Sequence, residues 1–307
     1  MRVAAIDLGT NTTRLLVADV ADGRVDEVSR RTTITRLGEG VDARRRLLPL
    51  PIARVRNCLS DYRRELESLG AERALLVATS AVRDAENGEA FLGEIEWSYG
   101  FSTRLLTGDQ EAELTLRGVG GIDDETTVVD IGGGSTELIQ SGSHSSTDLG
   151  SVRLTERFLD SDPPSEDELA ALTAAIRATL AERNGEATHG IGVAGTVTSL
   201  AALDLGLVEY DSERVHGHRL SDVAVEEQLE RLAALPLAER REVPGLEPER
   251  APVIVAGAAI QREVKRHLGL REIEVSERDI LDGAALEAAE LPEPVEGDAP
   301  PGAYTCC

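Results

Sequence analysis

Lysine is almost absent from this chain. Among 32 basic residues only Lys265 is a lysine, against 56 acids, and the formal net charge is −24. Aromatic residues make up 3% of the sequence, with a single Trp and a single Met. Cysteine is limited to Cys58, Cys306 and Cys307, whose number and spacing suggest neither a disulfide framework nor a zinc site. Cys58 falls in a helical pattern and reads as buried filler. No apolar run reaches the ~18 residues needed to span a bilayer. The opening MRVAAIDLGTN meets polar residues too early for a signal peptide, so a cytoplasmic location is expected. So acidic a surface argues against nucleic acid or an anionic membrane as partner. It also strains a compact state by self-repulsion in dilute buffer. At ~1 M salt the screening length is ~3 Å and that repulsion largely vanishes. The charge, the missing lysine and the scarce aromatics together point to adaptation to a high-salt cytosol.

What is present repeats. With 307 residues the chain is long enough for two domains. The first half opens VAAIDLGTNTTRLLVADV, a strand, an Asp-x-Gly turn and a second strand, with GRVDEVSRRTTITRL as a third. The second half repeats the plan with TTVVD, the turn 131–135, TELIQSG, and SSTDLGSVRLT as a third strand. Each half continues into a helix and a further strand, RALLVATSA in one and HGIGVAGTV in the other. The repeat predicts two related α/β lobes with mixed sheets facing each other across a cleft. Between them, TGDQEAELTLRGVGG starts with a capping box, Thr107 to Gln110, and ends in glycines. This predicts lobes over 1–117 and 118–290, with the helical pattern ERDILDGAALEAAE packing at the cleft or returning to the first lobe. Residues 291–307, rich in Pro, Gly and acids, are expected to be a disordered tail.

The two Asp-x-Gly turns carry the chemistry. In VVDIGGGSTELI, residues 128–139, a glycine run between strands lets backbone N–H groups approach a phosphate. Gly132, Gly133 and Gly134 supply the room; Ser135 and Thr136 add hydroxyls. An acid at such a turn cannot touch phosphate directly. It makes sense if it holds Mg²⁺ or Mn²⁺, or orients an attacking water. Asp130 and Glu137 would flank the phosphate, one towards metal and one towards water, and Asp7, Thr10 and Asn11 would do the equivalent in the other lobe. A bland reading of either turn alone is a tight hairpin with an acid in it; the pairing of two in repeated lobes favours phosphate.

Two such hairpins, with GVAGTVTSL as a third glycine turn, resemble the phosphate-1, phosphate-2 and adenosine-side motifs of the actin-like (ribonuclease H-like) ATPase superfamily. IDLGTNTTRLL, TRLGEGV, ATSAVRDAENG, TGDQEAE, VVDIGGGSTELI, DLGSVRLTERF and VAGTVTSLAAL resemble, in order, the motifs of the exopolyphosphatase / guanosine pentaphosphate phosphatase family, over residues 3–285. The chain looks like the short, two-domain form. The resemblance implies hydrolysis of a terminal phosphoanhydride with Mg²⁺ or Mn²⁺, on polyphosphate or on guanosine pentaphosphate, and suggests a homodimer.

It also implies roles. The family's base is the second glutamate of a Gly-x-Glu-Glu-Ala motif; here the stretch is Gly108-Asp109-Gln110-Glu111-Ala112, so Glu111 matches and Gln110 departs. Glu137 is the second catalytic candidate. Asp7 and Asp130 match the metal-binding acids, and Arg83 an arginine that binds the anionic substrate. Arg14, Arg36 and Arg153 are weaker candidates of the same kind. His216 and His218 lack a third ligand and read as a loop feature; Arg44-Arg45-Arg46 reads as a solvated turn. Readings of other classes are a kinase, which needs an acceptor pocket, an ATP-driven chaperone, which needs a peptide-binding domain, and a non-catalytic alarmone sensor.

Overall fold

The computed structural model describes residues 1–183 and 185–292. Their contacts divide into two units, Met1–Gly120 together with the described residues from Asp279, and Gly121–Arg278. Among the described residues no helix is long and apolar enough to cross a membrane.

The first unit is built on strands β1 (Arg2–Leu8), β2 (Thr12–Ala21), β3 (Arg24–Ile34), β4 (Arg73–Ala78) and β5 (Ser102–Leu105), in the sheet order β3-β2-β1-β4-β5. The first three strands pair antiparallel, and β4 and β5 run parallel to β1. The second unit holds β6 (Thr126–Ile131), β7 (Thr136–Gln140), β8 (Ser143–Thr147), β9 (His189–Val193), β10 (Arg219–Ser221) and β11 (Glu272–Val275), in the order β10-β11-β9-β6-β7-β8. Read from β8, this sheet repeats the first strand for strand and adds β10 at its edge, antiparallel to β11. Two α/β units of one topology are what the repeat predicts.

Alternation along the strands decides which side chain meets which helix. Ala4, Ile6 and Leu8 of β1, with Leu15 and Val17 of β2, face the helices Pro49–Ser68 and Gly88–Tyr99. Val3, Ala5, Leu16 and Ala18 point the other way, into a core closed by Leu114, Leu281, Ala284 and Ala288. Asp7 and Arg14 have the parity of this second face. Its cover is the pair of helices Gly108–Val119 and Ile280–Glu290. These two cross at backbone contact: a Cβ on Gly118 would lie 1.8 Å from the Asp279 carbonyl oxygen, and one on Gly283 1.9 Å from that of Leu114. Only glycine permits so close an approach.

Three expectations need correction. The helix Ile280–Glu290 does not belong with residues 118–278; its apolar stripe is buried on the first unit, so the 118–290 division fails at its end. The stretch SSTDLGSVRLT is not one strand. β8 ends at Thr147, and Ser151–Phe158 is a helix that starts at Gly150, with Ser151, Val152, Arg153 and Leu154 buried. The tail expected over 291–307 begins with an anchored residue, since Leu291 packs on the first unit's core. From 293 it lies outside the described residues, as do Cys306 and Cys307. Cys58 is a free, buried thiol. The one lysine is also buried, 1% exposed, with Nζ donating to the carbonyls of Leu220 (2.9 Å) and Arg271 (3.3 Å). Burial pushes it down to about 8. The exterior therefore carries no lysine.

Candidate active site

In the first unit the β1–β2 hairpin turns through Gly9, Thr10 and Asn11. Gly9 N donates to Thr12 O at 2.9 Å, closing the turn. The Thr10 and Asn11 amides donate no hydrogen bond among the described residues. Amides left in that state are available to an incoming acceptor. The loop TRLGEGV packs behind the turn: Thr35 N and Arg36 N donate to Asn11 O (3.1 and 2.9 Å), and Gly38 N to Thr10 O (2.8 Å). A Cβ on Gly38 would strike Thr10 Cγ2 at 2.2 Å, which explains that glycine.

Thr10 reaches onward. Its hydroxyl is 2.9 Å from that of Ser80, in the turn after β4, and Ser80 opens the short helix Ser80–Arg83. Arg83 Nη1 then donates to Leu106 O (2.7 Å) and to Glu111 Oε2 (3.2 Å). The predicted base and the predicted substrate arginine thus form an ion pair, with Arg83 27% and Glu111 10% exposed at the side chain. Glu111 stands in the first turn of Gly108–Val119, a position that favours an anion. The capping box is present: Gln110 N donates to Thr107 Oγ1 (3.2 Å) and Thr107 N to Gln110 Oε1 (3.0 Å). Gln110, where the family motif has its first glutamate, is a helix cap.

Asp7 lies directly across the hairpin from Arg14, which donates to its Oδ2 through Nε (3.0 Å) and Nη2 (2.8 Å). Asp7 Oδ1 is buried and has no partner. Burial raises the Asp7 carboxyl above its usual range, against the opposing pull of Arg14. Arg14 also binds Asp279, and Asp279 is held low because Arg14 and Arg30 outweigh its burial.

In the second unit the equivalent hairpin places Asp130 across from Glu137. The sevenfold spacing is thus a cross-strand pairing in both hairpins, acid to arginine in one and acid to acid in the other. Glu137 is 1% exposed, and Ser146 Oγ donates to its Oε1 at 2.7 Å. The carbonyls of the glycine turn are engaged from behind: Ser151 N donates to Gly132 O (3.0 Å), Val152 N to Gly133 O (2.9 Å), and buried Arg153 Nε to Gly134 O (2.7 Å). A Cβ on Gly150 would lie 2.3 Å from Gly133 O, so DLGSVRL must carry glycine there. The Gly133 and Gly134 amides donate no hydrogen bond among the described residues, as in the first turn. Thr136 departs from expectation. It is sealed, and its hydroxyl donates to Leu149 O at 2.5 Å, so it braces the turn instead of facing a ligand.

The third glycine turn follows β9, where Ala194 takes a positive φ of 68°. The Arg250 guanidinium lies against Gly195, where a Cβ would sit 1.9 Å from Nη1. His216 and His218 separate into ordinary contacts: Nδ1 of His216 accepts from Glu277 N (3.3 Å), and Nε2 of His218 meets Asp204 at 2.7 Å. Sequence reading did not single out Ser80, Asp279 or Arg250. Only Asp279 left a local trace, as the N-cap of an Asp-x-x-Asp capping box.

The sequence model of the Ppx/GppA phosphatase family matches residues 16–290. The chain belongs to that family. A relative named Exopolyphosphatase 2, from Mycobacterium tuberculosis, is 41% identical over 94% of this chain and 98% of its own length. A solved exopolyphosphatase-like protein has a TM-score of 0.87 at 34% identity, covering 94% of this chain and 99% of its own. The Ppx/GppA member from Aquifex aeolicus has a TM-score of 0.79 at 30% identity, covering 94% and 98%. As a Ppx/GppA protein the chain is a phosphoanhydride hydrolase, and phosphatases of this kind are generally dependent on a divalent metal.

Arg83 offers an early test. Arg83→Lys should fall at least about tenfold below wild type in kcat/KM and do no better than Arg83→Ala. An ammonium cannot span Leu106 O, Glu111 and a phosphate oxygen as a planar fork can. Equal rates for the Lys variant and wild type would show that only charge, or nothing, is used there.

Proposed function

We propose that this enzyme releases terminal orthophosphate from inorganic polyphosphate by in-line attack of water. The observation that carries the reading is two contacts, Thr10–Ser80 and Arg83–Glu111, joined by the one-turn helix Ser80–Arg83, which link a carboxylate and a guanidinium to a turn whose amides lack acceptors among the described residues. Glu111 takes the proton from the attacking water. Within the first unit, Arg83 and the Thr10 and Asn11 amides hold phosphate oxygens; within the second, the amides of Gly133 and Gly134 and the hydroxyl of Ser135 are donors of the same kind. The exopolyphosphatase named above supports polyphosphate as the substrate.

Asp7 in the first unit and Asp130 in the second are each residues that would ligate Mg²⁺ or Mn²⁺. The fit rests on Asp7 Oδ1, a buried carboxylate oxygen without a partner. No group of three or more His, Cys, Asp or Glu suited to a metal occurs among the described residues. One or two carboxylates, completed by water and substrate phosphate, is how Mg²⁺ is usually held. The chemistry a bound divalent ion supplies is neutralisation of phosphate-oxygen charge. The composition supports a salt-rich cytoplasm as the setting, and the family resemblance a homodimer.

The test is phosphate release from polyphosphate, guanosine pentaphosphate and ATP side by side, in high salt. The highest kcat/KM is expected on polyphosphate. Preference for guanosine pentaphosphate would replace the substrate and keep the chemistry. Release from ATP alone would move the protein towards an ATP-driven ATPase of the same fold.

A further inference from the structure

Arg14 grips Asp7 in an unusual way. A guanidinium facing a carboxylate ordinarily forms two parallel bonds, one to each oxygen. Here Nε and Nη2 converge on Oδ2 alone, at 3.0 and 2.8 Å, and Oδ1 is left buried without a partner. The remaining nitrogen, Nη1, is taken by Oδ2 of Asp279, from the far end of the chain. Asp279 is itself fixed. Its Oδ1 accepts from Leu281 N (3.0 Å) as the helix N-cap, and its own N–H donates to Asp282 (3.2 Å). Asp282 is in turn held by Arg30 at 3.1 Å. All five side chains lie in the first unit.

We propose that Asp279 draws the Arg14 guanidinium off centre, so that Asp7 presents one oxygen, Oδ1, to a divalent cation. Without that pull the guanidinium slides into the parallel fork and covers both oxygens. Arg14 and Asp279 are then positioning residues acting through Asp7, which neither sequence pattern nor a family role assigns to them. The contrast with the second unit supports this. There the cross-strand partner of Asp130 is Glu137, which cannot cover it, and no such device is called for. The inference rests on the reading that Asp7 is a metal ligand.

Asp279→Asn is the informative variant. It keeps the N-cap oxygen and replaces Oδ2 by an amide nitrogen that cannot accept from Arg14. The probe is Mn²⁺, titrated into the full-length, substrate-free protein in high salt and read by the electron paramagnetic resonance of the free ion. Mn²⁺ affinity should fall about tenfold or more, the range typical of lost outer-shell partners. The Mg²⁺ concentration for half-maximal rate should rise in step, while KM for polyphosphate at saturating Mg²⁺ shifts less than about twofold. A merely structural role would lower the melting temperature and leave the Mn²⁺ constant alone. Should circular dichroism show Asp279→Asn unfolded, Asp279→Ser, whose hydroxyl is a good N-cap, carries the same expectation. Asp7→Asn separates the two readings. If it binds Mn²⁺ like wild type, Asp7 is not a ligand and both readings fall. If it loses Mn²⁺ while a folded Asp279 variant does not, only the positioning role is overturned.

Discussion

Glu111→Gln should lower kcat by about 10²–10⁴-fold, the usual contribution of a general base, and leave KM near its wild-type value. At 1.36 kcal/mol per tenfold this is roughly 3–5 kcal/mol of barrier. The substitution preserves shape, and the amide oxygen can still accept from Arg83. What is lost is the capacity to take a proton. A stability effect is told apart by comparing melting temperatures, because Glu111 is buried and altering one partner of its pair with Arg83 can destabilise the fold. The helix keeps its cap, since Thr107 and Gln110 are untouched. The measurement is steady-state phosphate release with a parallel binding titration. A variant retaining more than about a tenth of the rate would move the base elsewhere, with Glu137 the next candidate.

The other large effect concerns salt. Dialysis into dilute buffer should unfold the protein cooperatively, and activity should rise with KCl into the molar range. Two influences oppose each other. Salt weakens phosphate binding and ion pairs by screening. The exposed pairs that it weakens, such as Arg219–Glu272 with side chains 66% and 51% exposed, are worth about 0–1 kcal/mol each. Against them stands an excess of 24 acids (56 − 32), whose mutual repulsion acts over the whole surface and also repels a polyanionic substrate. At ~1 M salt both repulsions are screened beyond ~3 Å, while shorter, drier contacts such as those of Arg83 persist. The burial of Lys265 sharpens the point, because the exterior has arginine as its only basic side chain other than histidine. Circular dichroism and phosphate release against KCl decide it. Greatest stability and activity near ~0.1 M salt would sink the salt-adaptation reading and leave the phosphatase assignment standing.

Local chemistry was legible in the sequence. The capping box at Thr107 was readable because its partners are three residues apart, and the Asp-x-Gly hairpins because a short turn fixes which residues face each other. The same register could have revealed that Asp7 meets Arg14 and Asp130 meets Glu137. Contacts between distant segments left no such trace. Nothing around Ser80 announces its bond to Thr10, and nothing in PGLEPERA announces that Arg250 covers Gly195. The segment SVRLT, at the end of SSTDLGSVRLT, reads as strand in sequence because short apolar runs suit either period. The helix Ile280–Glu290 shows its apolar face plainly, but a face does not name the surface that it covers.

That helix has a consequence for how the chain is made. The second unit is one continuous run, Gly121–Arg278, and can assemble as it leaves the ribosome. The first unit cannot be finished at that stage, because its sheet waits for a helix encoded about 160 residues later. At roughly 5–20 residues per second the wait is on the order of ten to thirty seconds. Throughout it Val3, Ala5, Leu16 and Leu75, an apolar face of the finished protein, lack the helix that covers them. A nascent chain in that state is a natural client for a chaperone that shields sheet faces, and Asp7 acquires its Asp279-bound Arg14 only when translation has passed the last helix.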